Sequence, residues 1–188
     1  MPRTTLSHPS RRTILCSALA IATIVAGGAP VAVVATEQSR PQTALPAPEG
    51  DVILSVTGKL SRTNDDGAAR LDIAMLEAMP ATEIRTQTIW TKGVQSFTGV
   101  ELRSLIEDLG IDAETLGASA INDYRVDIPV QDAVEGGPIV AYKMNGDYMS
   151  RRGKGPLWIV YPYDSNIEYR KETIYNRSIW QLDRLSAE

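Results

Sequence analysis

Cationic side chains and glycines alternate in the segment RRGKG, residues 151–155, directly before an apolar run. Guanidinium groups bind the paired oxygens of phosphate or carboxylate, and an ammonium acts as a point charge for the same anions. Flanking glycines allow backbone N–H groups to approach an anion. The candidate ligand-binding residues here are Arg151, Arg152, Lys154 and Gly155. The alternative is a solvated basic loop that keeps the end of a strand soluble.

Polar side chains are also concentrated in NDYRVDIP, residues 122–129. Alternate residues of a strand point to the same face, so a strand here places Asn122 and Tyr124 together. Both side chains can donate hydrogen bonds in a pocket, and we regard them as candidate binding residues. The alternative is a surface strand whose Asp123 and Arg125 are solvated.

The positions of two single residues exclude many reaction types. The only cysteine is Cys16 and the only histidine is His8, so neither type occurs after residue 16. The rest of the chain therefore has no disulfide, thiol nucleophile, Ser-His-Asp triad, histidine acid–base pair or histidine–cysteine zinc site. It also lacks a P-loop and a Gly-x-Gly-x-x-Gly turn. Carboxylates, lysines, tyrosines and backbone groups remain available for chemistry.

The first 35 residues have the pattern of an export signal. Three arginines precede a run of small and apolar residues at 14–35, and Arg11 and Arg12 resemble a twin-arginine signal. An uncleaved N-terminal membrane anchor is the alternative. Both interpretations predict that the rest of the chain lies outside the cytoplasmic membrane, in the periplasm or another extracytoplasmic location.

Composition predicts one acidic domain after this segment. The chain has 188 residues, 43% of them hydrophobic, and a formal net charge of -4. Without residues 1–36, 16 basic and 23 acidic residues remain, so we expect no nucleic-acid partner. Residues 36–50 contain three prolines and predict an extended linker. The folded domain is predicted over residues 51–188.

Hydrophobic patterns predict an α+β fold with many short strands and about two helices. Single strands are predicted at 51–60, 83–91, 121–133, 156–162 and 177–185. Residues 136–149 predict a hairpin with an Asn-Gly turn, and 156–162 is apolar enough to be buried on both faces. Helices are predicted at 71–80 and 98–110.

Capping residues predict where both helices begin and end. Asp72 is the predicted N-cap of the first helix, and Pro80 is predicted to end it. Thr98 caps the second helix with Glu101 in a capping box, and Gly110 follows its last turn.

Six segments in this order resemble the oxidoreductase molybdopterin-binding domain, the sulfite oxidase fold. They are VTGKL, LDIAMLEAMP, FTGVELRSLI, NDYRVDIP, KGPLWIVYP and RSIWQL. The resemblance covers roughly residues 50–185, and it is closest to a short exported branch. It implies a mixed barrel-like sheet of short strands with a few helices, and molybdopterin as the cofactor.

The resemblance also implies which residues serve the cofactor. In the family, one cysteine thiolate before the aromatic-Gly helix start ligates molybdenum. The corresponding segment here, 84–97, has no cysteine, and Thr86, Gln87 and Thr88 lie where the ligand is expected. None of them is a soft thiolate donor. The resemblance further implies that Lys154 and Arg177 neutralise the phosphate of the cofactor.

Two classes of function remain open from the sequence. The first is an oxidoreductase, or a degenerate relative, that binds a molybdopterin-type ligand and has an electron-transfer partner at the membrane. In it, Arg177 and the cations of residues 151–154 hold the anionic end, while Asn122 and Tyr124 donate hydrogen bonds. The second is a cofactor-free binding or sensor module for a small anionic molecule or a partner protein. The missing thiolate favours the second, and the family resemblance favours the first.

Overall fold

The computed structural model describes residues 44–188, which form ten strands and three α-helices. The strands are β1 Leu54–Gly58, β2 Ala69–Leu71, β3 Ala81–Gln87, β4 Val94–Glu101, β5 Thr115–Ala120, β6 Arg125–Pro129, β7 Ile139–Met144, β8 Asp147–Tyr148, β9 Leu157–Val160 and β10 Trp180–Ala187. The helices are α1 Ile73–Glu77, α2 Leu102–Leu109 and α3 Glu172–Arg177. Two short 3₁₀ helices span Val130–Asp132 and Ile167–Arg170.

All ten strands belong to one curled, half-barrel sheet. Its main path runs β2-β1-β10-β9-β7-β4-β3, while β5 pairs with β10 and β6, and β8 pairs with β7. Only β1 and β10 are parallel neighbours; the other pairs that the structure describes are antiparallel. The strand β10 has three partners, so the C-terminal segment organises the centre of the sheet. The expected α+β fold with a mixed, barrel-like sheet is confirmed.

Local sequence signals gave several elements correctly. The carboxylate of Asp72 accepts a hydrogen bond from the backbone of Met75 and caps α1. Gly110 ends α2 in the left-handed region, with φ 59°. The hairpin of β7 and β8 turns at Asn145-Gly146, and all four residues of β9 are buried, as the apolar run predicted.

The predicted start of the second helix is wrong. Residues 98–101 belong to β4, and α2 begins at Leu102 with no side-chain cap, so Thr98 and Glu101 form no capping box. The reason is sheet pairing: β4 is bonded to β3 on one side and β7 on the other. A Cβ on Gly99 would lie 2.2 Å from the carbonyl oxygen of Val140, so only glycine permits this approach of the two strands.

Two parts of the region after α2 differ from the prediction. The strand predicted at 121–133 is shorter and begins only at Arg125, because residues 121–124 form the turn between β5 and β6. Asp123 lies in this turn with φ 65°. The strand β5, with the sequence TLGASA, was not predicted, because small residues give no strand pattern.

The N-terminal predictions fall mostly outside the described residues. The export segment 1–35 and the first part of the linker lie there. The end of the linker packs on the domain: Leu45 is buried, and the amides of Glu49 and Gly50 donate to Asp72 at 2.8 Å. Folded structure thus begins before residue 51. Within residues 44–188, no helix combines the length and apolar character that crossing a bilayer requires.

Candidate functional site

A pocket of about 300 Å³ opens where three segments meet. One is the loop after β3, another is the turn between β5 and β6, and the last joins α3 to β10. Four aromatic side chains line it: Trp90, Tyr124, Tyr175 and Trp180. Trp90 makes edge contacts with Tyr175 and Trp180 at centroid distances of 5.7 and 5.3 Å. Such a wall suits a flat, partly apolar ligand.

The polar part of the pocket wall is neutral. Asn122, Asn176 and Gln181 contribute amide side chains, and Ser178 contributes a hydroxyl. No carboxylate is found among the described residues that line the pocket. The amides of Asn122 and Asn176 can bond the edge of a heterocycle without repelling an anion. The hydroxyl of Ser178 and the side-chain N–H groups of Gln181 are already bonded within the protein.

Trp90 is held in the pocket by the segment where the sequence resemblance places a metal ligand. The hydroxyl of Thr88 accepts a hydrogen bond from the backbone N–H of Trp90 at 3.1 Å. The same oxygen lies 2.8 Å from the hydroxyl of Thr91, and Thr88 is buried. Thr88 therefore positions an aromatic side chain.

The end of β3 is fixed from the other side by Asp164. Its carboxylate accepts from the backbone of Gln87 at 2.7 Å, and its own N–H donates to the hydroxyl of Thr86 at 3.1 Å. The bond from Gln87, more than the adjacent guanidinium of Arg170, lowers the pKa of Asp164 below its usual value. Thr86 and Gln87 thus fix the start of the loop after β3 through their bonds to Asp164.

The RRGKG loop is a closed turn. The amides of Gly153 and Gly155 both donate to the carbonyl of Ser150 at 3.0 Å, so they do not face an anion as the glycine pattern suggested. Gln181, in the left-handed region with φ 54°, donates from its side chain to the carbonyls of Arg151 and Gly153. Its backbone N–H bonds the carbonyl of Lys154 at 2.9 Å, which fixes the loop beside the pocket.

The three cations of this loop have different environments. Arg151 and Arg152 are exposed, and neither guanidinium has a protein partner among residues 44–188. The ammonium of Lys154 lies over the rings of Trp180 and Trp158, 4.0 and 4.9 Å from their centroids. Partial burial lowers the pKa of Lys154 below its ordinary value, because the charged form loses hydration. Of the three, Lys154 lies against a ring that lines the pocket.

Arg177 is turned to a different partner. It donates to the carboxylate of Asp132 at 2.8 Å, and Tyr161 donates to the same oxygen at 2.8 Å. Arg177 is thus bonded to a carboxylate, whereas Lys154 lies against the ring of Trp180. Burial raises the pKa of Tyr161 strongly, which keeps its hydroxyl a donor.

The structure thus brings together only part of the predicted set. Asn122, Tyr124 and Lys154 lie in or beside the pocket, whereas Gly155 is buried in the loop turn. Their binding roles stay predictions. The residues that sequence reasoning missed are Trp90, Tyr175, Asn176, Trp180 and Gln181. A tryptophan after a strand end was the available signal, but core packing explains most such residues equally well.

The fold and the pocket together define an α+β domain with a cavity lined by aromatic and amide side chains. A family model, described as the oxidoreductase molybdopterin binding domain, matches residues 66–168, more than half of the chain. The chain belongs to this family of molybdopterin-binding oxidoreductase domains.

Among solved structures, the chain is similar to one titled "Crystal Structure of the Sulfane Dehydrogenase SoxCD from Paracoccus pantotrophus". The TM-score is 0.52 at 17% sequence identity, and the match covers 71% of this chain. It spans only 37% of the sulfane dehydrogenase chain, so the likeness concerns the fold. A comparison with curated proteins finds no match.

The side chains of this domain do not fit a molybdenum ion held by a protein thiolate. The one cysteine of the sequence is Cys16, outside the described residues. The hydroxyl of Thr88 is a hard donor already bonded to Thr91 and Trp90. Within residues 44–188, no cluster of three or more histidines, cysteines, aspartates or glutamates can hold a metal.

Proposed function

We propose that this protein is an exported binding module of its family. In this proposal the pocket beside Trp90 and Trp180 holds a small planar ligand of pterin type with an anionic substituent, and no protein side chain ligates a metal. The domain binds and presents its ligand and has no molybdenum-dependent activity of its own.

The composition of the pocket wall carries the proposal. Trp90, Trp180, Tyr175 and Tyr124 provide ring surfaces against which a flat heterocycle can stack. The amide of Asn176 supplies donors and an acceptor for the edge of a pterin, and Asn122 adds its amide N–H groups, because its oxygen already accepts from the N–H of Tyr124 at 3.2 Å. Stacking on the rings and hydrogen bonds to the amides bind such a ligand without a metal.

Lys154 supports an anionic substituent on the ligand. Its ammonium lies 4.0 Å from the ring of Trp180 and has no carboxylate partner among the described residues. An ammonium that is partly dehydrated and not neutralised attracts an anion more strongly than a solvated one does. The exposed Arg151 and Arg152 extend the same positive surface.

Export and a partner at the membrane are part of the proposal. The arginine pair and the apolar run of residues 1–35 support export. Exposed apolar surface supports a partner protein: Tyr124 lines the pocket and is 55% exposed, and Ile89, next to Trp90 in the chain, is 62% exposed. A module that presents a bound ligand to a membrane-associated partner combines both features.

Binding of 6-carboxypterin, followed by quenching of tryptophan fluorescence, tests the ligand. Tyr124 and Tyr148 are equally exposed, at 55%, but of these two tyrosines only Tyr124 lines the pocket. We expect Tyr124→Leu to weaken binding about tenfold and Tyr148→Leu to leave it unchanged. Equal affinities of the two variants would exclude this pocket as the site.

The role of Lys154 is tested with a neutral analogue, 6-hydroxymethylpterin. The wild-type protein should prefer 6-carboxypterin, and Lys154→Met should remove the preference while Lys92→Met keeps it. Lys92 is an exposed lysine whose ammonium has no partner among the described residues.

Elemental analysis of the protein purified from its native compartment tests the absence of a metal. We expect molybdenum far below one atom per chain and an absorption spectrum without a metal–sulfur band. Stoichiometric molybdenum would instead support the oxidoreductase function.

A further inference from the structure

Aromatic rings form an unbroken series of contacts from the pocket to the half-buried Tyr169. The chain of contacts is Trp180, Trp90, Tyr163, Tyr161 and Tyr169, with successive centroid distances of 5.3, 6.4, 6.4 and 5.8 Å. Trp90 and Trp180 line the pocket, whereas Tyr161 and Tyr163 are buried and Tyr169 is half-buried. We call these five residues the aromatic chain.

The two buried tyrosines, Tyr161 and Tyr163, differ in the group that accepts their hydrogen bond. Tyr163 donates to the hydroxyl of Ser178 at 2.7 Å, and that hydroxyl donates to the carbonyl of Ile174. Tyr161 donates to the carboxylate of Asp132 at 2.8 Å. A hydroxyl is a very weak base, whereas a carboxylate accepts a proton readily.

This difference decides where an oxidised ring is stable. Removing one electron from a phenol makes its proton strongly acidic, so in the protein interior, away from water, a neutral tyrosyl radical forms only where a base takes that proton. Tyrosine and tryptophan are, with methionine, the most easily oxidised side chains when cysteine is absent, and the sequence has no cysteine after Cys16. Among the buried rings of the aromatic chain, only Tyr161 is bonded to a carboxylate.

We propose that the aromatic chain carries a one-electron oxidation from the pocket to Tyr161. A one-electron oxidant of the organic radical-cation class, bound against Trp90 and Trp180, takes an electron from the adjacent ring and becomes a neutral molecule. Electrons then move ring by ring towards the pocket. At the end of the process Tyr161 has lost one electron, its phenolic proton has moved to the carboxylate of Asp132, and the oxidant has gained one electron. No other bond forms or breaks.

The surroundings of Asp132 suit this transfer. Arg177 donates to the same oxygen at 2.8 Å and holds the carboxylate towards the phenol. Burial raises the pKa of Tyr161, so its hydroxyl keeps its proton until the ring is oxidised. The inference requires a one-electron oxidant at Trp90 and Trp180, and it does not depend on the pterin-type ligand of the proposed function.

A photo-oxidant attached at the pocket tests the proposal. Asn176 is exposed and lines the pocket, and Cys16→Ser combined with Asn176→Cys gives the full chain one thiol for a ruthenium polypyridyl label. A laser flash with a sacrificial cobalt(III) acceptor then oxidises the label. We expect a neutral tyrosyl radical, detected by transient absorption and by electron paramagnetic resonance of frozen samples.

Two substitutions identify the residue that carries the radical. Tyr161→Phe should abolish the tyrosyl signal and leave a tryptophan radical. Asp132→Asn, which keeps the tyrosine but removes the base, should do the same. Circular dichroism and the melting temperature establish whether each variant is folded, and either folded variant is sufficient for the test.

Tyr148 provides the matched control. Its hydroxyl also donates to a carboxylate, that of Glu77 at 2.7 Å, but it has no ring contact with the aromatic chain among the described residues. Tyr148→Phe should leave the tyrosyl signal intact. The proposal is overturned if the signal persists in folded Tyr161→Phe or Asp132→Asn, or if it disappears in Tyr148→Phe.

Discussion

The ammonium of Lys154 lies 4.0 Å from the ring centroid of Trp180, although 26 positions separate the two residues in the sequence. The contact depends on Gln181, whose backbone N–H bonds the carbonyl of Lys154 at 2.9 Å. It joins the basic loop before β9 to an aromatic wall of the pocket on β10. A cation is thereby held beside rings that have no charge of their own.

Replacing Lys154 by methionine should cost about 1 kcal/mol of unfolding free energy, because the contact between the cation and the two rings is lost while the apolar contact remains. Urea denaturation measures the change. Lys92→Met should stay within about 0.5 kcal/mol of wild type, since that lysine is exposed without a partner among residues 44–188. Equal effects of the two substitutions would show that the contact with Trp180 is energetically neutral.

Gly155 should tolerate no side chain, in contrast to its neighbour Gly153. A Cβ on Gly155 would lie 1.9 Å from the carbonyl oxygen of Met149, whereas the nearest atoms to a Cβ on Gly153 are 3.5 Å away. We expect Gly155→Ala to destabilise the fold by about 3 kcal/mol and Gly153→Ala by about 0.5 kcal/mol or less. Thermal and urea unfolding of both variants give the comparison, and similar stabilities would contradict the geometry of this turn.

Asp72 should be one of the most sensitive carboxylates of the domain. It accepts from the backbone of Met75 at 2.9 Å and from the amides of Glu49 and Gly50 at 2.8 Å, and it is buried. Asp72→Ala removes a helix cap and leaves two further amides without a partner, which should cost about 2 to 3 kcal/mol. Asp51→Ala, at an exposed site, is the control for urea denaturation.

The same carboxylate should make stability depend on pH. Hydrogen bonds from the backbone, led by Gly50 and Met75, lower the pKa of Asp72 below its ordinary value of 3.8. A carboxyl whose pKa is lower in the folded state stabilises the fold above its unfolded pKa, and this contribution is lost as the pH falls through the folded value. Below about pH 4, wild type should lose stability more steeply than Asp72→Asn. Parallel profiles of unfolding free energy would contradict this.

Two tyrosines should resist ionisation in the folded protein. Burial, more than any nearby charge, raises the pKa of both Tyr161 and Tyr163, because a phenolate would lose its hydration. Stability should therefore fall as the pH rises above the unfolded phenol pKa of about 10. A spectrophotometric titration should show these two phenols ionising only on unfolding. If Tyr163→Phe removes part of the ionisation that accompanies unfolding, that part belongs to Tyr163.

Local sequence patterns determined the elements whose signals lie within a few residues. Asp72 and Gly110 bound their helices because a cap is satisfied by neighbouring backbone groups. The apolar run of β9 and the Asn145-Gly146 turn were equally local. The ordered motifs also pointed to the family, which the match of residues 66–168 confirms.

Sheet pairing determines the elements that local patterns predicted wrongly or missed. The capping pattern of Thr98 and Glu101 was overruled because two neighbouring strands bond this segment along its length. Similarly, the small residues of β5 become a strand only because β10 and β6 flank them. In both cases hydrogen bonds to distant segments outweigh the local preference.

The candidate site shows the same division. Its sequence supplied the residue types: the aromatic residues, the amides, the basic loop, and a threonine at the place of a thiolate. Only the tertiary structure decided that Trp90 and Trp180 meet in one wall and that Arg177 is bonded to Asp132, 45 residues away. These partners come from distant parts of the chain, and the curl of the sheet that joins them depends on long-range strand pairing, which no local pattern encodes.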